Sequence, residues 1–105
     1  MLNKEKRKEK ENQLLSDVYD LILDTETYDN ERTILLEFKT AVENGKDFED
    51  RLMVLSNSLR ELAVEKLNKR ETLSKKVSQF YMGISNTGLL KKNLGAGMTN
   101  LGFLG

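Results

Sequence analysis

One stretch, residues 47–67, constrains the fold more than any other part of the chain. Apolar residues recur in it at spacings of four, three, four and three: Phe48, Leu52, Leu55, Leu59 and Leu62. This spacing places all five side chains on one stripe of an α-helix. A lone amphipathic helix is only marginally stable in water, so the stripe requires other helices to cover it. We therefore expect the rest of the chain to supply those helices.

Three further segments repeat apolar residues at helical spacing. The first covers residues 6–23, the second covers residues 30–44, and the last begins after Asn68 and ends near Gly83. Only a few residues connect the second of these helices to the central one. Such short connections make consecutive helices antiparallel neighbours.

Turn and capping residues set the predicted boundaries. Residues 24–29 are rich in side chains that bond their own backbone and interrupt helices. Asp29 or Asn30 is expected to cap the second helix, and Gly45 to close it. Asp47 is expected to cap the central helix.

The boundary after the central helix is less sharply marked, because no glycine or proline follows it. Asn68 and Glu71 have the spacing of a capping box, so we predict a break there and a separate fourth helix. The structural alternative is one continuous helix over residues 47–82, which would leave a three-helix and possibly dimeric arrangement.

The last 21 residues differ in character from the rest. They hold five of the seven glycines, and Lys91 and Lys92 are their only charges. Their apolar residues are too numerous for a solvated tail: Leu89, Leu90, Leu94, Met98, Leu101, Phe103 and Leu104. We expect this segment to be buried across the bundle, against a partner or in a membrane interface.

Together these segments predict one helical domain over residues 1–105. Residues 1–10 form a charged N-terminal extension, residues 11–84 a four-helix bundle, and residues 85–105 a C-terminal segment. The fold class is all-α, an antiparallel up-down four-helix bundle with a Gly-rich apolar C-terminal segment.

Composition excludes several classes of function. The chain has no cysteine and no histidine, which excludes disulfides, thiolate chemistry and His-dependent triads or zinc sites. No apolar run is long enough to span a membrane, and the charged start has no apolar segment behind it, so we expect a cytoplasmic protein. A net charge of zero argues against nucleic acid as a partner, although residues 72–105 carry four bases and no acid.

Carboxylates and arginines are the remaining candidates for metal binding or catalysis. Asp17, Asp20 and Asp24 could share a helix face, but they lack calcium-loop spacing, and a solvated acidic face explains them. A small helical enzyme could work through arginines, of which Arg32, Arg51, Arg60 and Arg70 are available, although a surface role explains each more simply. We therefore expect no enzyme activity, no metal and no cofactor.

The residues leave three interpretations open. One is a binding module whose bundle presents the C-terminal segment to a protein partner at the membrane. Another is a small helical adaptor or oligomerisation protein without catalytic activity, and the last is a small enzyme. Self-association in solution separates the adaptor from the binding module.

The order of parts resembles a known family of small helical proteins. The segments that carry the resemblance are LLSDVYDLI at residues 14–22, NERTILLEFKTAVENG at residues 30–45 and DFEDRLMVLSNSL at residues 47–59. A fourth helix and an unusual tail follow them. This arrangement is similar to that of the cytosolic immunity proteins against pediocin-like bacteriocins, in particular the enterocin A immunity family.

The resemblance implies a function and a set of partners. It implies an antiparallel four-helix bundle that protects the producer cell from a pediocin-like bacteriocin at the cytoplasmic face of the membrane. The implied partner is the complex of bacteriocin with its membrane-embedded receptor, the mannose phosphotransferase components. In that family the C-terminal half decides which bacteriocin is resisted. A monomer with weak contact to an anionic membrane surface is also expected.

Partner recognition is expected at the end of the fourth helix and in the segment after it. The candidate residues are Phe80, Tyr81, Leu89, Leu90, Lys91, Lys92, Leu94 and Phe103. The two lysines would attract an anionic leaflet, and the apolar residues would supply buried area. The alternative for the leucines is that they pack into the groove between helices and complete the core.

Overall fold

The computed structural model describes residues 3–90, which form four α-helices and one short 3-10 turn. The helices are α1 (Lys4–Leu23), α2 (Asp29–Glu43), α3 (Phe48–Asn68) and α4 (Lys75–Gly83), and the turn covers Ile84–Asn86. No strand occurs within residues 3–90. The predicted all-α four-helix bundle is thereby confirmed.

Contacts between helix starts define the topology. The start of α1 meets the start of α3 through Arg7 and Glu49, and the start of α2 meets the start of α4 through Glu31 and Ser74. Helices α1 and α3 therefore begin at one end of the bundle, and α2 and α4 begin at the other. This is the antiparallel up-down order.

The bundle has two ends, the locked end and the exit end. The locked end comprises residues 21–32 and 66–76, where α1 and α3 finish and α2 and α4 begin. The exit end comprises residues 3–11, 43–50 and 83–90, where the chain leads from α4 towards its C-terminus.

The core lies between the four helices and includes the predicted stripe of α3. Leu52, Leu55, Leu59 and Leu62 are buried, whereas Phe48 is half-buried and packs edge-on against Phe38 with ring centroids 5.4 Å apart. The other buried apolar residues are Leu14, Val18, Leu21, Leu35, Leu73, Val77, Ile84 and Leu89. Apolar area from all four helices is thus removed from water in one cluster.

Two of the predicted helix boundaries are confirmed. Gly45 adopts the left-handed conformation (φ 87°) that ends α2, where its N–H donates to the Val42 carbonyl and the Lys46 N–H to the Ala41 carbonyl, both at 3.0 Å. Asp47 caps α3 by accepting a hydrogen bond from the Asp50 N–H at 3.0 Å.

The predicted cap of α2 was wrong. Tyr28, and neither Asp29 nor Asn30, is the N-cap residue. The reason is Glu31, whose carboxylate reaches back to accept the Tyr28 N–H at 2.9 Å. This half of a capping box fixes the helix start one residue earlier than the sequence indicated.

The break after α3 is real, but its predicted mechanism was wrong. Asn68 is the last residue of α3, and Ser74, six residues later, is the N-cap of α4. The helix ends because Arg70 is left-handed (φ 61°), with the Glu71 N–H donating to the Lys66 carbonyl at 2.7 Å. A continuous helix over residues 47–82 is therefore excluded.

Candidate partner-recognition site

Four of the eight predicted recognition residues lie within the described chain. Phe80 and Tyr81 on α4 are half-buried, and both pack against the core. Leu90 is also half-buried, whereas the side chain of Leu89 is completely buried. The other four predicted residues, Lys91, Lys92, Leu94 and Phe103, lie outside the described residues.

The position of Leu89 corresponds to the core-packing alternative for that leucine. With 0% of its surface exposed, Leu89 belongs to the central apolar cluster. In this conformation its side chain is covered and offers no surface to a partner. Half-buried Phe80, Tyr81 and Leu90 retain exposed surface next to it.

A tight turn after α4 directs Leu89 into the core. The Thr87 hydroxyl donates to the Ile84 carbonyl at 2.7 Å and accepts the Leu89 N–H at 3.1 Å. Gly88 between them has a φ of 79°, a conformation that side chains with a Cβ rarely adopt. The Thr87 hydroxyl therefore satisfies two backbone groups of the turn, the Ile84 carbonyl and the Leu89 N–H.

Arg7 of α1 holds the far side of this turn. Its Nη2 atom lies 3.1 Å from the Leu89 carbonyl oxygen and 3.1 Å from Oε1 of Glu49, and its Nε lies 3.4 Å from Oε2 of Glu11. The carboxylate of Glu49 is almost completely buried, with 8% of its side chain exposed. One guanidinium thus joins the starts of two helices to the last described residues.

An open groove runs between α1 and α4 beside these residues. It has a volume of about 260 Å³, and its apolar wall includes Leu14, Phe80 and Ile84. Asp17 and Lys10 lie at its polar rim. Phe80, one of the predicted recognition residues, therefore lines a concave surface of the described chain.

Met82 was missed by the sequence analysis. It lies on α4 between the predicted residues Tyr81 and Leu90, and 62% of its surface is exposed. The missed signal is its register, since a residue two positions after half-buried Phe80 faces away from the core on an α-helix. An exposed methionine offers an adaptable apolar contact.

The locked end, by contrast, holds a dense polar network around one buried carboxylate. Glu31 is fully buried and accepts three hydrogen bonds, from the Tyr28 N–H at 2.9 Å and from the Ser74 N–H and hydroxyl at 2.7 Å each. Burial of a carboxylate is costly unless its oxygens are hydrogen-bonded, and here both are. Glu31 therefore joins the start of α2 to the start of α4.

Arg32 secures the connection between α1 and α2. Its guanidinium donates to the carbonyl oxygens of Ile22, Asp24 and Thr27 at 2.8 to 2.9 Å. A planar group with five N–H donors suits several carbonyls that converge in one turn. Arg32, one of the arginines weighed for catalysis, is thus engaged in holding backbone.

Charge pairs near the locked end shift two pKa values. The Asp24 carboxyl accepts the Glu26 N–H at 2.8 Å and pairs with the Lys76 ammonium at 3.0 Å. The backbone hydrogen bond first, and then Lys76, lower the pKa of Asp24 below its ordinary value. In turn, the hydrogen bond to Asp24 raises the pKa of Lys76.

A second pair joins α1 and α2 along the side of the bundle. The Tyr19 hydroxyl donates to Glu43, which also pairs with Lys39 at 3.1 Å. The hydrogen bond from Tyr19 lowers the pKa of Glu43 and raises that of Tyr19, because it favours the charged carboxylate and the neutral phenol. These shifts come from pairs that join neighbouring helices.

Ligand chemistry within residues 3–90 is limited. No three Asp or Glu side chains of this part come together in a way that could hold a metal ion. None of the helices described is both long enough and apolar enough to cross a bilayer. What the described residues provide is a rigid body with a partly apolar surface on α4 and the turn after it, which is an arrangement suited to binding.

These features define the class of the protein as a small four-helix bundle. The chain belongs to the bacteriocin immunity protein family, because the model of that family matches residues 9–89. The match covers α2, α3 and α4 completely and most of α1, and it confirms the resemblance to the enterocin A immunity family. The family is not known for enzymatic activity. Neither the curated proteins nor the solved structures gave a significant match.

Proposed function

We propose that this protein protects a bacteriocin-producing cell from a pediocin-like bacteriocin, acting at the cytoplasmic face of the membrane on the complex of bacteriocin and receptor. The observation that carries the proposal is the family match over residues 9–89. The receptor would be the mannose phosphotransferase components of the membrane. Membership of the family supports a role in immunity. The distribution of apolar and charged surface supports the exit end as the part that contacts the partner.

The bundle acts as scaffold, and the exit end makes the contact. At the locked end, buried charged groups make hydrogen bonds within the bundle, as the three hydrogen bonds to Glu31 illustrate. Directly before the exit end, apolar surface of Phe80, Tyr81 and Met82 remains exposed on the last turn of α4. Full burial of an apolar side chain of this size contributes roughly 1.5 to 3 kcal/mol, so a few such residues suffice for a specific contact.

The segment that follows Leu90 supplies the remaining chemistry. Its composition is apolar and basic, with Lys91 and Lys92 directly after the last described residue. Near an anionic leaflet each lysine contributes about 1 kcal/mol, an attraction that salt weakens. The segment would therefore bring the bundle to the inner membrane surface while its apolar residues contact the receptor complex.

The decisive experiment expresses the protein in a bacteriocin-sensitive strain and challenges the cells with a panel of pediocin-like peptides. A chain truncated after Leu90 keeps Leu89 in the core while it removes residues 91–105. A chain with residues 91–105 in scrambled order is the matched control, because it keeps length, charge and composition. We expect protection by the full chain against at least one peptide, and its loss in both altered chains.

Helicity measured by circular dichroism accompanies each assay, so that unfolding is not mistaken for lost recognition. Unchanged sensitivity of cells that express the full chain to every pediocin-like peptide would contradict the proposal. Full protection by the truncated chain would keep immunity but move the contact from residues 91–105 to α4.

A monomer is the proposed working state. The adaptor interpretation requires apolar stripes that self-associate, yet the stripe of α3 is covered within one chain, with Leu52 and Leu59 fully buried. Sedimentation equilibrium at micromolar to millimolar concentration tests this point. If the protein dimerises and disruption of the dimer leaves immunity unchanged, the proposed function stands. If protection requires the dimer, the adaptor interpretation is favoured.

A further inference from the structure

We infer that Arg7 is a positioning residue, which holds the turn after α4 from which the C-terminal segment continues, and that recognition of the partner depends on this hold. The inference rests on the proposed function for its biological consequence. Its structural part, the hold of Arg7 on the turn after α4, can be tested without any immunity assay. Arg7 precedes residues 9–89, so the family match does not point to it.

The geometry places Arg7 at the junction of three parts of the chain. Its Nη2 atom contacts both Oε1 of Glu49 and the Leu89 carbonyl oxygen at 3.1 Å. These partners are 42 and 82 residues away in sequence. The contact with Leu89 is therefore a bond between the first helix and the last two residues that the structure describes.

Burial makes this contact stronger than an ordinary surface pair. Only 28% of the Arg7 side chain and 8% of the Glu49 side chain are exposed. Charged pairs that are partly removed from water are less screened than exposed ones, and hydrogen bonds from a charged donor exceed neutral ones in strength. Arg7 is thus held by a buried carboxylate on one side while it holds a carbonyl on the other.

The carbonyl that Arg7 binds belongs to a residue that is already fixed at two other points. On the N-terminal side, the Leu89 N–H is already fixed by the Thr87 hydroxyl, and its side chain is fixed in the core. Arg7 fixes the carbonyl of the same residue. With its N–H, side chain and carbonyl all engaged, the backbone of Leu89 and its peptide bond to Leu90 are held in one orientation.

Arginine suits this role better than lysine. A guanidinium is planar and presents its donors at fixed angles, so it can bind a carboxylate and a carbonyl in a defined geometry. A lysine ammonium is a point charge on a flexible stem and holds direction poorly. We therefore expect Arg7→Lys to retain part of the effect and Arg7→Gln to lose it.

Native-state hydrogen exchange of the full chain tests the structural part. The variants are Arg7→Gln and Arg7→Lys, and the matched control is Lys8→Gln, which removes one positive charge from the neighbouring, exposed position of α1. Exchange at the Leu89 amide reports opening of the turn, and exchange at the Leu55 amide in the middle of α3 reports global unfolding.

In Arg7→Gln we expect the Leu89 amide to exchange about tenfold faster relative to Leu55, with no change in Lys8→Gln. Proportional acceleration of both amides would mean that Arg7 only stabilises the bundle as a whole, and would overturn the inference. Equal Leu89 exchange in Arg7→Gln and Lys8→Gln would overturn it as well.

The immunity assay then separates this inference from the proposed function. Protection by the full chain and by Lys8→Gln, with loss in Arg7→Gln at unchanged helicity, supports a positioning role in recognition. Full protection by Arg7→Gln despite faster Leu89 exchange overturns that role and leaves the proposed function standing. Absence of protection by every chain, including the unaltered one, contradicts the proposed function, and the exchange ratio still decides whether Arg7 holds the turn.

Discussion

The locked end and the exit end of the bundle are stabilised in different ways. At the locked end, Glu31 and Arg32 together make hydrogen bonds to three N–H or hydroxyl donors and to three carbonyl oxygens. At the exit end, Arg7 contacts one distant carboxylate and one carbonyl, and Leu89 provides the apolar contact. The locked end is therefore the more heavily hydrogen-bonded of the two, and the exit end is the one proposed for recognition.

Chain connectivity explains the difference. Two of the three helix connections, residues 24–28 and 69–74, lie at the locked end, and their polar backbone must be satisfied where it meets the core. The exit end has one connection, residues 44–47, together with the start of α1 and the segment after α4. Its order therefore depends on residues 3–11 and 83–90 as well as on this one connection.

The largest effect is expected at the centre of the locked end. Glu31→Ala removes the acceptor of three hydrogen bonds and leaves the Ser74 N–H and hydroxyl without their partner in the interior. We expect the free energy of unfolding to fall by about 3 to 4 kcal/mol, measured by urea titration. Glu31→Gln keeps one oxygen acceptor and should lose less.

The matched control for this change is Glu37→Ala, which removes an exposed carboxylate from the same helix. It should shift the unfolding free energy by no more than about 0.5 kcal/mol. If Glu31→Ala lowered the unfolding free energy no more than Glu37→Ala does, the hydrogen bonds of Glu31 would not stabilise the locked end.

The next largest effect is expected at the exit end. Leu89→Ala removes a completely buried side chain and should cost about 2 to 3 kcal/mol, because it leaves a cavity next to Ile84 and the other core residues. Leu90→Ala, at a half-buried position, should cost less than half as much. Thermal unfolding followed by circular dichroism measures both.

The variants at Leu89 and Leu90 should also differ in their effect on immunity. If Leu90 contacts a partner, Leu90→Ala should reduce immunity more than its small loss of stability explains. Equal stability loss in the two variants would contradict the assignment of Leu89, rather than Leu90, to the core.

Sequence reasoning reached the helices because apolar periodicity is a strong signal, as the stripe through Leu52 and Leu59 shows. It also placed Gly45 and Asp47 correctly, since a glycine after a helix and an aspartate before one each have a local physical cause. It did not reach Glu31, because only the fold brings Ser74 next to it. Long-range pairs of this kind leave no spacing in the sequence.

Arg7 was missed for a related reason. It lies among alternating lysines and glutamates, where every residue looks equally solvated. Only its contacts with Glu49 and with the Leu89 carbonyl, both distant in sequence, distinguish it from Lys6 and Lys8. All eight predicted recognition residues stay predictions, and four of them, Lys91, Lys92, Leu94 and Phe103, lie outside the described residues.

A smaller effect is expected from the two left-handed residues that end α2 and α3. Gly45 at the exit end adopts this conformation without strain, whereas Arg70 at the locked end adopts it with a Cβ atom. Arg70→Gly should therefore raise the unfolding free energy by roughly 0.5 to 1 kcal/mol, and Gly45→Ala should lower it by about 1 kcal/mol. No atom lies within 4 Å of a Cβ added at Gly45, so the cost there is conformational.

Lys69→Gly is the control for Arg70→Gly, because Lys69 has a φ of −99° and gains nothing from glycine. It should destabilise the protein by up to about 1 kcal/mol through the entropy of the unfolded chain. Stabilisation by both glycine variants would show that the left-handed conformation is not the cause.

The smallest effect is expected from the ion pair of half-buried Asp24 and exposed Lys76 at the locked end, and a change of pH reveals it. The folded pKa of Asp24 lies below the ordinary value of 3.8, so its contribution to stability is present above that value and is lost as the pH falls through the folded pKa. The folded pKa of Lys76 lies above 10.5, so its contribution is present below that value and is lost as the pH rises through the folded pKa. The pair therefore stabilises the locked end most between these limits.

Asp24→Asn should reduce the loss of stability as the pH falls below the ordinary value of 3.8, because the group that takes up a proton is gone. Lys76→Gln should flatten the alkaline side and weaken the acid side only in part, since the Glu26 N–H, the larger cause of the Asp24 shift, is still present. Urea midpoints measured across pH distinguish these outcomes. If stability fell in the same way at low pH in Asp24→Asn and in the unaltered chain, the ion pair of Asp24 and Lys76 would not contribute to the stability of the locked end.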